Sequence, residues 1–153
     1  MRTRFVDYKS YADATLSDIF TKEELENAKH LEVNNLNTTL FMSDSKGKFQ
    51  EKPLPIEVQM SPVFTLNTLD FDHDGKKDLL FCGNINRGRL RFGKYDANFG
   101  LLLKGDGNGQ FKVIPQQQSG FGIKGDVRSV LKLQDYLFFG VNQSLVKAYK
   151  SGI

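Results

Sequence analysis

From residue 37 onward the apolar residues fall in short alternating or continuous runs of four to eight, each closed by Gly, Asn, Asp or Pro. That pattern predicts strands, because side chains alternate between the two faces of a strand and turn residues punctuate it. Strands are expected near 37–43, 48–52, 62–69, 79–83, 99–104, 109–114, 127–133, 136–141 and 144–149. Asp106-Gly107-Asn108-Gly109 predicts a hairpin turn, since Gly and Asn accept the positive φ such turns need. Ser45-Lys46-Gly47 is a weaker version of it. Before residue 37 the pattern changes. Thr21-Lys22-Glu23-Glu24 forms a capping box, in which the Thr hydroxyl caps an orphan amide and Glu24 reaches back. With Leu25 and Ala28 as a short apolar stripe, it predicts a helix over 22–29, and a further turn is expected around Leu16 to Phe20.

The chain repeats itself. Leu40-FMSDSKGK-Phe49 matches Leu102-LKGDGNGQ-Phe111 at an offset of 62, with Asp44 and Asp106, Gly47 and Gly109, and Pro53 and Pro115 in step. Val63-FTLNT-Leu69 matches Val127-RSVLK-Leu133 at an offset of 64, and Phe81-Cys82-Gly83-Asn84 matches Phe138-Phe139-Gly140-Val141 at 57. The shorter offset implies that the second copy lacks about the length of the loop Asp70 to Lys77.

A repeat near 60 residues with about four strands predicts the blade of a β-propeller. The expected fold is all-β: a partial β-propeller of about two and a half four-stranded blades, preceded by an N-terminal segment, 1–36, with a short helix. Within 37–153, residues 62–114 make a complete blade, 37–52 the outer strands of the one before it, and 127–149 the inner strands of the one after it. Propellers close with about four to eight blades. The partners expected are therefore the remaining blades of a longer chain or another subunit.

The motif that carries chemistry is Asp70-Phe71-Asp72-His73-Asp74-Gly75-Lys76-Lys77-Asp78. Acids stand at positions 1, 3, 5 and 9, with Gly at 6, so a tight loop turns alternate carboxylates toward one point. Gly75 permits the turn, and the Lys76 carbonyl can face inward. Four carboxylates and a carbonyl make a hard oxygen cage suited to Ca²⁺, which takes six to eight oxygens at about 2.3–2.6 Å. Without a cation the clustered charges repel one another. The competing expectation is a solvated Asp-rich turn. Mg²⁺ suits the loop less well, because it prefers fewer protein ligands. An EF-hand needs Glu at position 12 and flanking helices; position 12 here is Phe81 and the flanks read as strands. His73 occupies a non-ligand position and is expected to be exposed.

Asp70-x-Asp72-x-Asp74-Gly75-x-x-Asp78-Leu79, followed by a strand ending Gly83-Asn84, resembles the FG-GAP/VCBS repeat, the blade unit of integrin-α-like β-propellers. Gly105-Asp106-Gly107-Asn108-Gly109-Gln110-Phe111 and Asp44-Ser45-Lys46-Gly47-Lys48-Phe49 are similar to the other signature of that repeat. The resemblance covers about residues 37–150, and the chain looks like the C-terminal part of a bacterial VCBS-repeat protein. It implies calcium ligation by the side chains of Asp70, Asp72, Asp74 and Asp78 and the carbonyl of Lys76. In the last repeat Leu133-Gln134-Asp135-Tyr136 replaces the loop, so one metal site is expected. The family is usually exported, which implies an extracytoplasmic location: secreted, periplasmic or cell-surface. The implied role is a non-catalytic, calcium-binding propeller module with a structural or ligand-, protein- or glycan-binding task. The alternative is a non-catalytic part of a propeller hydrolase or lyase whose active site lies on other blades.

Composition adjusts this picture in a few places. Of 153 residues 39% are hydrophobic and 25% charged, which suits a folded domain, and no apolar run reaches the roughly 20 residues of a membrane span. Residues 1–60 hold 8 Lys/Arg and 10 Asp/Glu, net −2, whereas 61–153 hold 13 and 8, net +5. The bases are scattered and not interleaved with aromatics, so no nucleic-acid partner is expected. The first residues, MRTRFVDYKSYADATL, have no apolar core and are not a signal peptide; either the protein is not exported or its true start is missing. Arg87, Arg89 and Arg91 lie in a long connection, Asn84 to Asn98, and could meet an acidic ligand, against the alternative of a solvated loop. Catalysis finds no constellation: the histidines are His30 and His73, and Cys82 lies in an apolar run as a buried hydrophobe.

Overall fold

The computed structural model describes residues 5–88 and 90–150. The chain divides into two compact units, residues 1–36 and 37–153. The first carries three short helices, α1 (Tyr8–Ala12), α2 (Leu16–Ile19) and α3 (Lys22–Glu26), none with a buried residue. The capping box forms as expected: Glu24 N–H donates to Thr21 Oγ1 at 3.2 Å, and Thr21 N–H donates to Glu24 Oε2 at 2.8 Å. Yet α3 ends at Glu26 rather than continuing to residue 29. The Asn27 amide group donates to Glu23 O at 2.9 Å, offering that carbonyl a side-chain partner that competes with the helix. Leu25 stays exposed, so no buried face drives a longer helix.

The second unit is three antiparallel sheets. The first sheet pairs β1 (Leu40–Ser43) with β2 (Phe49–Lys52). The second holds β3 (Val63–Leu69), β4 (Asp78–Gly83), β5 (Leu101–Gly105) and β6 (Phe111–Val113) in that order. The third holds β7 (Val127–Leu133), β8 (Tyr136–Val141) and β9 (Lys147–Lys150). All nine expected strands are present, and among the described residues no sheet closes into a barrel. The connectors add what periodicity could not reveal: a 3-10 turn at Ile56–Gln59 and a helical turn, α4 (Gln116–Ser119). Pro55 and Pro115 cap them, so the proline that begins the first connector turn is Pro55 rather than Pro53. Their fixed φ suits a helical entry, and their missing N–H would be unpaired there anyway.

Both faces of β4 are buried, whereas Phe64 and Leu66 of the neighbouring β3 are exposed. Leu80, Cys82 and Leu102 face the third sheet and join Phe121, Ile123, Leu137 and Phe139 in one core. Leu79, Phe81 and Leu103 point the other way, onto Val58 and Leu54 of the preceding connector. This explains why β4 reads as a continuous apolar run: a strand covered on both faces needs no polar alternation.

The repeat is real in three dimensions, with one correction of register. Asp44 Oδ1 accepts from the amides of Lys46 and Lys48, both at 2.8 Å; Asp106 Oδ1 accepts from those of Asn108 and Gln110 at 2.7 and 2.9 Å. The two turns are the same object 62 residues apart, each with a glycine at positive φ, Gly47 and Gly109. In the inner strands Val63 pairs with Gly83 and Val127 with Val141, and Leu66 pairs with Phe81 as Val130 does with Phe139. Phe81 therefore corresponds to Phe139 at an offset of 58, not to Phe138 at 57. A slip of one residue would turn every side chain to the opposite face. The connection from β3 to β4 spans Asp70–Lys77, eight residues, against two, Gln134-Asp135, from β7 to β8. That six-residue difference is the fall in offset from 64 to 58.

Candidate metal centre

The acidic loop lies between β3 and β4, where the strands deliver its two ends as a cross-strand pair, Leu69 opposite Asp78. Asp78 is fully buried and clamps the loop: Oδ2 accepts from Phe71 N–H at 2.8 Å and Oδ1 from Gly105 N–H at 2.9 Å. One carboxylate thus ties the loop entrance to β5. Gly105 must be glycine, since a Cβ there would lie 2.3 Å from the Lys77 carbonyl oxygen. Gly75 takes φ 80°, the left-handed turn expected of position 6, and its N–H donates to Asp70 Oδ2 at 3.0 Å.

Asp70, Asp72 and Asp78 each present a carboxylate oxygen within 4.8 Å of the others. Among the described residues, the one buried side-chain polar atom without a hydrogen-bond partner is Asp70 Oδ1. A buried, unpaired carboxylate oxygen is costly unless something positive meets it. Three of the four expected acids therefore converge.

The fourth, Asp74, turns elsewhere. Its Oδ1 accepts from Lys76 N–H at 2.9 Å, and its Oδ2 lies 3.2 Å from Lys104 Nζ and 3.7 Å from Lys76 Nζ. The Lys76 amide, together with the Lys104 ammonium, holds the Asp74 carboxyl below the usual carboxylate range. Lys104 also bonds Asp72, and the two carboxylates push its ammonium pKa up. This lysine neutralises the outer rim of the loop. It was not singled out in the sequence because it stands 32 positions beyond Asp72 and becomes a neighbour through the β4–β5 register. His73 is exposed, at φ 57°, as expected for a non-ligand.

Within the arginine connection, Ile85 and Tyr95 pair through two backbone bonds of 2.8 and 2.9 Å. Arg87 and Arg91 are exposed there, and Arg89 lies outside the described residues. The residues doing most at this end are others. Asn84, 1% exposed and at φ 94°, takes Ser61 Oγ at 2.7 Å and Asn98 N–H at 3.0 Å on Oδ1, and donates to the carbonyls of Asn98 at 2.6 Å and Gly125 at 3.2 Å. Arg128 donates to Asn84 O at 3.1 Å and covers the Phe64 ring at 3.7 Å. Together they bind the second sheet to the third. Cys82 is wholly buried, and burial pushes its thiol pKa up to about 12.

Comparison with protein-family models, curated proteins and solved structures finds no match to this chain. Among the described residues no helix is long and apolar enough to cross a membrane.

Proposed function

We propose that residues 37–150 form a non-catalytic, calcium-binding repeat module of the β-propeller kind, related to the FG-GAP/VCBS repeat. The observation that carries the metal is the buried, partnerless Asp70 Oδ1 beside the carboxylates of Asp72 and Asp78. A divalent cation bound there would satisfy that oxygen and offset the repulsion of the cluster. Asp70, Asp72 and Asp78 would hold it, and Asp74, on leaving Lys104, would join the Lys76 carbonyl in completing an all-oxygen set. Calcium is preferred to magnesium because it accepts many protein oxygens in an irregular shell. Its work would be structural: it would order the loop that joins two inner strands. In this reading each sheet is a blade, the second complete and the others partial.

An extracytoplasmic setting, where calcium is abundant, suits a site of modest affinity. Calorimetric titration of the chain with CaCl₂ tests the proposal. One binding event is expected, lost in Asp70→Asn and Asp72→Asn and outcompeting excess Mg²⁺. Heat-silent titration with no change in thermal midpoint would overturn it.

A further inference from the structure

The turns at Asp44 and Asp106 share their carboxylate-to-amide bonds, but they are not closed alike. In the first, Gly47 N–H donates to Asp44 O at 3.3 Å. In the second, Gly109 stands in the same place at φ 84°, yet among the described residues its N–H donates no hydrogen bond. The residue before it differs too: Lys46 in the first turn, Asn108 in the second. Asn108 is exposed, and its backbone N–H is held by Asp106 Oδ1 at 2.7 Å. Its side-chain amide has no hydrogen-bond partner among the described residues. An unheld asparagine amide therefore lies next to an unheld backbone nitrogen, with no side chain on Gly109 to hinder approach.

We propose that Asn108-Gly109 is a site of spontaneous covalent modification, where the folded chain converts its own asparagine to aspartate and isoaspartate through a succinimide. The Gly109 nitrogen loses its proton and attacks Asn108 Cγ. A C–N bond forms, and the side-chain nitrogen leaves with a proton as ammonia. Water then opens the ring. Cleavage at Cγ gives aspartate; cleavage at the main-chain carbonyl gives isoaspartate, whose backbone runs through the former side chain and is longer by a methylene. Either product adds a negative charge to the turn.

The fold singles out this pair. Asn108 is the one asparagine in the chain followed by glycine. Asn84 and Asn98 are buried, with their side chains engaged in hydrogen bonds. Asp74-Gly75 and Asp106-Gly107 also precede glycine, but an ionised carboxylate is a poor electrophile. Gly75 N–H is moreover held by Asp70 Oδ2, and Asp106 Oδ1 by two amides. The isoaspartate methylene would fall between the two amides that Asp106 Oδ1 clamps, those of Asn108 and Gln110, and push them apart. Gly109 also abuts the first sheet: a Cβ there would lie 3.2 Å from the Met42 side chain. The modification therefore acts where the first and second sheets meet. The inference does not depend on the metal.

Incubation of the full chain in neutral and in mildly alkaline buffer, followed by peptide mass spectrometry, tests it. The peptide holding residue 108 should gain the mass of an amide-to-acid exchange, and faster at the higher pH, because the attacking nitrogen must lose its proton. An isoaspartyl carboxyl methyltransferase supplied with labelled S-adenosylmethionine should methylate the aged chain and leave the fresh chain unlabelled. Asn108→Lys copies the residue of the first turn, so it should fold as the wild type does and abolish both signals. Circular dichroism with a melt checks the fold. A parallel incubation in urea removes the turn, and the native rate should approach the unfolded one. Absence of conversion in the native sample overturns the proposal, because it would mean that the turn protects the pair. So does conversion spread evenly over the other asparagines, or a methylation signal that persists in Asn108→Lys.

Discussion

Asp78 and Asp70 sit in the same loop and should respond to mutation in opposite ways. Asp78 is wholly buried, and both of its oxygens are consumed by backbone donors, Phe71 N–H and Gly105 N–H. Asp78→Ala orphans both. Each buried unsatisfied donor costs about 1–3 kcal/mol, and the half-exposed Phe71 end can recruit water, so the total should be about 3 kcal/mol. For a unit of this size that is a fall in thermal midpoint of about 10 °C or more. The loss should be present in EDTA, because the clamp needs no metal. Asp70→Asn removes one charge from a repelling cluster and keeps an oxygen for Gly75 N–H. In EDTA it should be neutral or slightly stabilising. In calcium at about a hundred times the dissociation constant the wild-type chain should gain about 2.7 kcal/mol, and Asp70→Asn should gain almost none of it. Melts of the three chains, with EDTA and with calcium, decide the matter. If Asp78→Ala loses stability only when calcium is present, the clamp is wrong; if Asp70→Asn keeps the full calcium increment, the cage is wrong.

Other outcomes follow from the same geometry. Lys104→Met removes the ammonium that bonds Asp72 and Asp74, and should tighten calcium binding in titration, since it removes a positive charge that competes with the cation; unchanged affinity would mean that Lys104 does not compete. Asn84→Ala strips its partners of four hydrogen bonds in a buried site and should destabilise the unit by about 3–4 kcal/mol in urea unfolding, with a loss under 1 kcal/mol counting against the role given to Asn84. The amides of Asn108 and then Gln110 hold the Asp106 carboxyl below its ordinary 3.8. Its folded pKa is depressed, so its contribution is present above 3.8 and fades as pH falls through the lower folded value; NMR titration should place its midpoint below 3.8. Cys82 should resist thiol reagents in the native protein and react only on unfolding, since its pKa of about 12 leaves almost no thiolate at neutral pH.

The strands were legible because their signals are local. Glycine and asparagine at Gly47, Gly109 and Asn108 punctuate runs of strand-forming residues, and each predicted strand is found where its run lies. The acidic loop was legible for the same reason: its spacing is contained in nine residues. What escaped is set by contacts distant in sequence. Lys104 reaches Asp72 across 32 positions, and Asn84 reaches Gly125 across 41. The offset of 57 missed the register by one because Phe81-Cys82-Gly83 and Phe138-Phe139-Gly140 look alike as letters, while strand pairing matches Phe81 to Phe139. The irregularities between Val63 and Thr65 and between Val127 and Ser129 recur at the same place in both sheets, a feature of backbone pairing that composition does not encode.

The unequal turns of the two inner hairpins have a further consequence. Leu69 opposite Asp78 and Leu133 opposite Tyr136 are the same closing pair, bridged once by eight residues and once by two. Closing the longer connection costs only about 1.2 kcal/mol more, two doublings of length at about 0.6 kcal/mol each. A bound ion need supply little to cancel so small a difference. The acidic segment is therefore a cassette: transplanted in place of Gln134-Asp135, it should leave the host hairpin's pairing intact and give the third sheet an ion-responsive turn of its own.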